Sequence, residues 1–213
     1  MRVVPNLYPA FTRQEVVVHT PRHARSLADL SNDELDLVAS AWRERRRSEP
    51  AGYLHALVNE GRFAGASLPH THSQLLWLEE PPPAVRTERA AGVGELLERG
   101  DLVIAEESGT VLVSHAAARM PYELLIAPRE VEADAFASRR LAVALRLLAG
   151  GVRRLRMLEG PLAWNAWLHT GPHWHVHALP RLTVLAGIEL GAGIYVNTLA
   201  PEAAADALRA AAS

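Results

Sequence analysis

The chain has 213 residues, 49 % of them apolar, a net charge of −2 and no cysteine. That length suffices for one large domain or for two smaller halves with a buried core. Disulfides, thiolate zinc sites and cysteine nucleophiles are excluded, and the near-neutral charge gives no basis for broad attraction to nucleic acid or a membrane surface.

Gln14 to His19 is predicted as a strand because valines dominate it, and Thr20-Pro21-Arg22-His23 breaks it. A helix starts at Ser31, with Glu34 placed to complete a capping box and Leu35, Val38 and Trp42 at helical spacing. It fades near Ser48-Glu49-Pro50, and Arg43-Glu44-Arg45-Arg46-Arg47 reads as its solvated basic end rather than as a binding patch. Tyr53 to Asn59 reads as a strand, Gly61 to Pro69 as a glycine-bearing loop and Pro69 to Leu78 as a further strand. Pro81-Pro82-Pro83 is a stiff linker candidate closing a first half, 1–80.

In the second half, 81–213, Asp101 to Glu106 and Thr110 to Ser114 are strands about a Ser108-Gly109 turn. Tyr122 to Ala127 is a strand ending at Pro128-Arg129, and Ser138 to Leu148 a helix stopped by Gly150-Gly151. Trp164 to His169 and His173 to Leu179 are strands joined through Thr170-Gly171-Pro172, and Pro201 opens an alanine-rich terminal helix. Strand, Pro-Arg, helix, strand, loop and histidine strand thus occur twice. The repeat predicts an α+β fold of two related subdomains that join their sheets, largely antiparallel, with helices on one face.

Each half carries a short histidine run, His70-Thr71-His72-Ser73-Gln74 and His173-Trp174-His175-Val176-His177. Alternate residues of a strand share a face, so His70, His72 and Gln74 project together, as do His173, His175 and His177. Imidazole near neutral pH is a nucleophile, an acid/base or a metal ligand, and either row can serve any of these roles. Small residues in Asn59-Glu60-Gly61-Arg62-Phe63-Ala64-Gly65-Ala66-Ser67 let backbone N–H groups approach an anion, forming a phosphate nest to which the Ser67 hydroxyl adds a donor. A histidine just beyond such a nest can attack the phosphorus held there, with Gln74 bonding a phosphate oxygen as charge develops. Trp77 and Trp174 read as core aromatics, and His19, His55 and His115 have no constellation around them.

Gly65-Ala66-Ser67-Leu68-Pro69-His70-Thr71-His72-Ser73-Gln74 resembles the active-site segment of galactose-1-phosphate uridylyltransferases and nucleotide-sugar phosphorylases of the histidine-triad superfamily. Val4-Pro5-Asn6-Leu7-Tyr8-Pro9, Met120-Pro121-Tyr122-Glu123, Pro180-Arg181-Leu182, Gly187-Ile188-Glu189 and Pro201-Glu202 extend the resemblance along the chain. It implies a histidine-triad-like fold, a homodimer, and transfer of a nucleotidyl group from a nucleotide-sugar to a sugar phosphate or inorganic phosphate. By the resemblance, His72 is the covalent nucleophile, with Gln74 its phosphate-binding partner and His70 beside it. Asn59, Gly65, Ala66 and Ser67 touch the nucleotide phosphates, Asn6 lies nearer the nucleoside, and Glu189 reaches sugar hydroxyls. His23 and His70 match two ligands of a structural zinc. The family's leading segment, with a Cys-x-x-Cys pair and phosphate-binding arginines, has no counterpart here, so that zinc is expected to be absent and the acceptor is open.

The second row also fits the histidine-triad pattern, which makes His175 a rival nucleophile. The resemblance instead assigns such second-half histidines to a metal, and Glu88, His169, His175 and His177 are the candidate ligands for zinc or iron. Alternatives to the transferase are a phosphorylase, a nucleotide hydrolase and a non-catalytic nucleotide- or metal-binding module. No apolar run is long enough to span a bilayer, and Met1 to Asn6 lacks the apolar stretch of a signal peptide. The expected setting is cytoplasmic, with no nucleic acid or membrane partner.

Overall fold

In the computed structural model, which describes residues 1–211, the repeat read from the sequence becomes one antiparallel sheet. Its strands are β1 (Arg2–Pro5), β2 (Arg13–Val18), β3 (Tyr53–Glu60), β4 (His72–Leu78), β5 (Val103–Glu107), β6 (Thr110–Ser114), β7 (Leu124–Pro128), β8 (Trp164–His169) and β9 (His175–Pro180). They lie in the order β1-β2-β4-β3-β8-β9-β7-β6-β5. The helices are α1 (Asn32–Ser48), α2 (Pro83–Arg86), α3 (Ala90–Leu97), α4 (Leu141–Glu159), α5 (Gly187–Ala192) and α6 (Pro201–Ala210). None of them is long and apolar enough to cross a membrane.

The order contains a pseudo-two-fold. β2, α1, β3 and β4 form one unit, and β7, α4, β8 and β9 form the other. Each places its strands so that β2-β4-β3 is mirrored by β8-β9-β7 about the β3–β8 seam. β4 and β9 run in opposite directions, so His72 and His175, the first residues of each, stand at opposite ends of the sheet. The seam is pinned by Asn59 opposite Asn165 and by Glu60 opposite Trp164. Buried Glu60 accepts from the Trp164 indole at 2.9 Å and from the Leu27 amide at 3.0 Å, tying the halves together.

Helix α1 forms where expected. Ser31 and Glu34 make the reciprocal capping box, and Leu35, Val38, Ala39 and Trp42 bury one stripe against the sheet. The Trp42 indole donates to buried Ser73 on β4 at 2.8 Å. Three of the four arginines in the basic run at its end are engaged within the fold. Arg45 forks onto Glu15, Arg46 reaches the Gly52 carbonyl and Arg43 the Ser138 carbonyl.

Helix α4 corrects one expectation: it does not stop at Gly150-Gly151 but runs through both to Glu159. Each glycine costs about 1 kcal/mol of helix propensity. Ten buried positions on the helix outweigh that cost. Gly151 is there for space. A Cβ would lie 2.9 Å from the Leu124 Cδ1 atom and 3.3 Å from the Leu112 Cδ2 atom, so the helix could not lie this close to β6 and β7. Pro83 likewise opens α2 rather than ending a stiff linker, since proline suits a first helical turn.

The main core lies between the sheet and α1, α4 and α6. A second apolar cluster gathers Val93, Leu96 and Leu97 of α3 with Val111, Val113 and Leu125. Val113 and Leu125 share a cross-strand row with His177 and Trp167, the opposite face from the main core. Helices therefore cover one face fully and α3 covers the second-half end of the other. The rest of that other face carries the histidines.

Candidate functional site

Strand alternation sets the histidine face. On β4, Ser73, Leu75 and Trp77 point into the helix-covered side, leaving His72 and Gln74 on the other. On β9, Val176 and Ala178 enter the core, leaving His175 and His177. One cross-strand row reads Val16, Gln74, Leu57, Trp167, His177, Leu125. Gln74 and His177 are thus pseudo-equivalent and three strand spacings apart, roughly 14 Å.

His72 is buried, and its Nδ1 lies 2.8 Å from the His70 carbonyl oxygen. A carbonyl only accepts, so Nδ1 carries the proton and Nε2 keeps the lone pair. Gln14, at the start of β2, receives the Ala10 amide proton on its Oε1 and donates its Nε2 to the Gln74 Oε1. That bond turns the Gln74 amide so that its NH2 remains for an incoming oxygen. Asn165 does the same for Asn59, donating to its Oδ1 at 2.8 Å and to the Ala64 carbonyl at 2.8 Å. A narrow hollow lined by Arg25, Asn59, Pro69, His70 and His72 lies at this end of the sheet. The C-terminal stretch leaves β9 at the same end, where Pro180 opposes Trp164.

His70 does not share the row. Its backbone is in a bend before the ladder starts, and its ring lies between the Thr71 and Arg22 carbonyls at 3.1 and 3.0 Å, beside exposed His23. Among the described residues no third metal donor joins His23 and His70. His173 also falls outside its row, because β9 begins at His175 and the His173 Nε2 meets the Pro128 carbonyl at 2.7 Å. The expected nest is smaller than the sequence suggested. The amides of Gly65 and Ala66 donate back to the Arg62 and Gly61 carbonyls, closing the loop's own turn. Gly65 is left-handed, at φ +82°. Ser67 is exposed in the adjoining cavity. Asn6 caps its own turn by accepting from Tyr8 at 3.1 Å, and the Glu189 carboxylate, on α5, accepts from Ala186 at 2.8 Å.

At the other end, Glu88, His169, His175 and His177 each bring one ligand atom within 4.8 Å of all the others. Glu88 comes from the segment between α2 and α3, 2.6 Å from the His169 Nδ1 and 3.5 Å from the His175 Nε2. Burial pushes its carboxyl up, but the hydrogen bonds to His169 and His175 outweigh it and hold it at about 2. The His175 Nδ1 meets the His173 carbonyl at 2.9 Å, so its Nε2 holds a lone pair. That atom is 3.1 Å from the His177 Nε2. The His177 Nδ1 faces Glu123 at 3.6 Å. Burial raises the Glu123 carboxyl too, but His177 and Arg119 hold it at about 2, so it is an anion and attracts an N–H at that position. Two imidazole lone pairs then face each other beside a carboxylate, an arrangement that suits a cation between them. The three-nitrogen, one-oxygen donor set fits zinc or iron.

Sequence reasoning missed the surroundings of this cluster. His55, His115, Arg119, Glu123 and Trp167 line, with Glu88, His169 and His177, a cavity of about 510 Å3. Trp167 stacks on His177 with ring centres 5.2 Å apart, and Arg119 lies over Trp167. Glu123 is fully buried. The preceding Tyr122 adopts φ +62°, a conformation costing a bulky residue about 1–3 kcal/mol, and this turn delivers Glu123 to the cluster. The signal was present in Met120-Pro121-Tyr122-Glu123, but spacing alone could not connect it to His177. His19 was also passed over. It is wholly buried behind His72, with its Nδ1 2.9 Å from the Thr71 Oγ1 and its Nε2 without a partner among the described residues.

With this geometry in view, the known relatives are informative. The family model for the N-terminal domain of galactose-1-phosphate uridyl transferase matches residues 8–82. An ADP-glucose phosphorylase of Arabidopsis thaliana is 27 % identical, over 98 % of this chain and 74 % of that protein. A crystal structure of an Arabidopsis ADP-glucose phosphorylase with bound ADP-glucose superposes with a TM-score of 0.86 at 26 % identity, covering 98 % of this chain and 81 % of that one. The chain is similar to galactose-1-phosphate uridylyltransferase-like proteins along nearly its whole length. A galactose-1-phosphate uridylyltransferase of Thermotoga maritima is 24 % identical over 92 % of this chain and 73 % of its own length. The fold is α+β, as the internal repeat implied, and it superposes on a galactose-1-phosphate uridylyltransferase-like protein of Arabidopsis thaliana with a TM-score of 0.86 at 27 % identity.

Proposed function

We propose that this chain is a nucleotide-sugar phosphorylase or transferase that carries the nucleotidyl group on His72. One observation supports this most: the His72 Nδ1 is committed to the His70 carbonyl, and Gln74 is turned by Gln14 to offer its NH2. In the first step the Nε2 lone pair attacks the α-phosphorus, the P–N bond forms, and the bridging P–O bond breaks. The sugar 1-phosphate leaves with the electron pair, and the ring's positive charge is spread toward the His70 carbonyl through Nδ1–H. Gln74 steadies the non-bridging oxygen as charge develops. In the second step a phosphate oxygen attacks the same phosphorus, the P–N bond breaks and His72 regains its lone pair. Asn6, Asn59 and Ser67 are assigned to the nucleotide and Glu189 to the sugar. Glu88, His169, His175 and His177 would hold zinc or iron as a structural clamp on the second half.

ADP-glucose is the first substrate to try, because the relative matched over 98 % of this chain is an ADP-glucose phosphorylase. Incubation with ADP- and UDP-sugars should give a nucleotidyl adduct by intact mass that His72→Ala lacks. No adduct and no turnover with any nucleotide-sugar would reject the reading. The family-model match at 8–82 favours a second acceptor, a hexose 1-phosphate. Product analysis with phosphate and with hexose 1-phosphate separates the two.

A further inference from the structure

Beside the narrow hollow of His72 lies a larger cavity of about 630 Å3. The two share Arg25, Glu60, Gly61, Leu68 and Pro69 as a common wall. Three guanidinium groups, of Arg25, Arg62 and Arg156, line the larger one. They differ in what they already hold. Arg156 is half-buried and committed, bonded to Asp29 at 2.8 Å and to Glu60 at 3.1 Å. Glu60, the carboxylate in the wall, is likewise engaged with Leu27, Trp164 and Arg156. Arg25 and Arg62 are exposed and make no hydrogen bond or ion pair among the described residues. The Ser67 hydroxyl borders the same space. The cavity therefore presents two unspent positive charges and a hydroxyl donor next to the attacking histidine.

A guanidinium fork matches the oxygens of a phosphate, and two forks in one concavity suit a dianion better than a monoanion. We propose that this cavity is the phosphate subsite for the second reactant: Arg25 and Arg62 bind the free phosphate group that attacks the His72-bound phosphorus. The proposal rests on the covalent reading above and names the site of its second step. The chemistry balances without a further reagent. An oxygen of the bound phosphate forms a P–O bond to the nucleotidyl phosphorus, the P–N bond to His72 breaks, and its electron pair returns to the Nε2 atom. By microscopic reversibility the departing sugar 1-phosphate of the first step leaves through the same subsite. The ligand class is a phosphate dianion, either inorganic or carried on a sugar.

The test uses the full chain and the double variant R25A/R62A, both changes being at exposed side chains. Calorimetric titration with inorganic phosphate reads the subsite directly, without turnover. In a second arm, protein loaded from ADP-glucose is chased with inorganic phosphate or with glucose 1-phosphate, and loss of the adduct is followed by intact mass. The expected result is at least about a tenfold rise in the phosphate concentration needed, in both arms, from losing two charge-assisted contacts. Parallel weakening toward both chasers supports a subsite that reads phosphate alone; weakening toward one supports the subsite and identifies its occupant. Unchanged titration and unchanged chase in R25A/R62A overturn the proposal. If the wild type forms no adduct, the covalent reading fails, and the titration alone decides whether the cavity binds phosphate.

Discussion

His72 and His175 occupy equivalent positions in the two repeats. Each is the first residue of its strand, and each donates its Nδ1 proton to the carbonyl two residues earlier, at 2.8 and 2.9 Å. Each therefore has a lone pair on Nε2. What differs is the company that lone pair keeps. Gln74 stands two residues along from His72, and Asn59 lines its hollow; both are amides with donors to spare. Beside His175 the same places hold His177 and His169, with Glu88 added. A lone pair among neutral donors is placed for an electrophilic phosphorus held by its oxygens. A lone pair among other lone pairs and a carboxylate is placed for a cation. The two repeats share the backbone and its tautomer-fixing bond, and a few side chains decide which chemistry each can do.

The largest expected effect breaks the comparison at its centre. His72→Ala should lower kcat by at least about 10^4-fold and abolish the adduct, since the covalent path is lost outright. His175→Ala should keep adduct formation detectable while lowering metal content, measured by elemental analysis of the purified protein. If His175→Ala abolishes the adduct and His72→Ala spares it, the assignment of the two rows is reversed.

The amides come next. Gln74→Ala should reduce kcat about 10^2-fold with little change in substrate affinity, if its NH2 acts mainly on the charge that develops in the transition state. Gln14→Ala should cost less, about three- to tenfold in kcat, because it acts only by orienting Gln74. Steady-state kinetics on the pair and on the double variant would show non-additivity. Independent, multiplicative losses would reject a shared role.

On the metal side, Glu123→Gln should weaken metal binding about 10- to 100-fold, because an outer carboxylate orients His177 toward the ligand centre. Competition with a chelator, followed by metal content, measures it. Glu88→Gln removes an anionic ligand and should weaken binding more. Neither change should remove the adduct proposed at His72, which lies at the opposite end of the sheet.

The strands and the two histidine runs were legible in the sequence because their signals are local: β-branched runs, Pro and Gly breaks, a capping box at Ser31 and alternation along β4 and β9. The helix end at Gly150 was misread because glycine speaks to conformation and to space alike, and here space against Leu124 was the cause. Alternation overreached by one pair at His70 and at His173, since only backbone pairing says where a ladder starts. Glu88 was found by its offset from His72, while Glu123, Arg119, Gln14 and Asn165 act across the sheet. Their roles depend on which strands lie side by side, and no spacing within one segment carries that information.

The smallest expected effect concerns His19, which lies behind the first site and has no counterpart in the second. Burial comes first, then the nearby His72 and His70, in pushing its pKa down to about 3 from the usual 6.5. Between those values the unfolded chain binds a proton at this position that the folded chain does not. Stability is therefore fully present above pH 6.5 and falls as the pH drops toward 3. One such group contributes a slope of at most about 1.4 kcal/mol per pH unit across that window. His19→Asn retains a polar atom near the Thr71 hydroxyl and does not titrate there. Urea unfolding of both proteins between pH 7 and pH 4.5 should show a shallower dependence for the variant, whatever its absolute stability. Equal slopes would mean that His19 accepts its proton in the folded state. In that case the wall behind His72 is wetter than its burial indicates, and the ring proposed to attack phosphorus sits in front of a protonatable group instead of a neutral one.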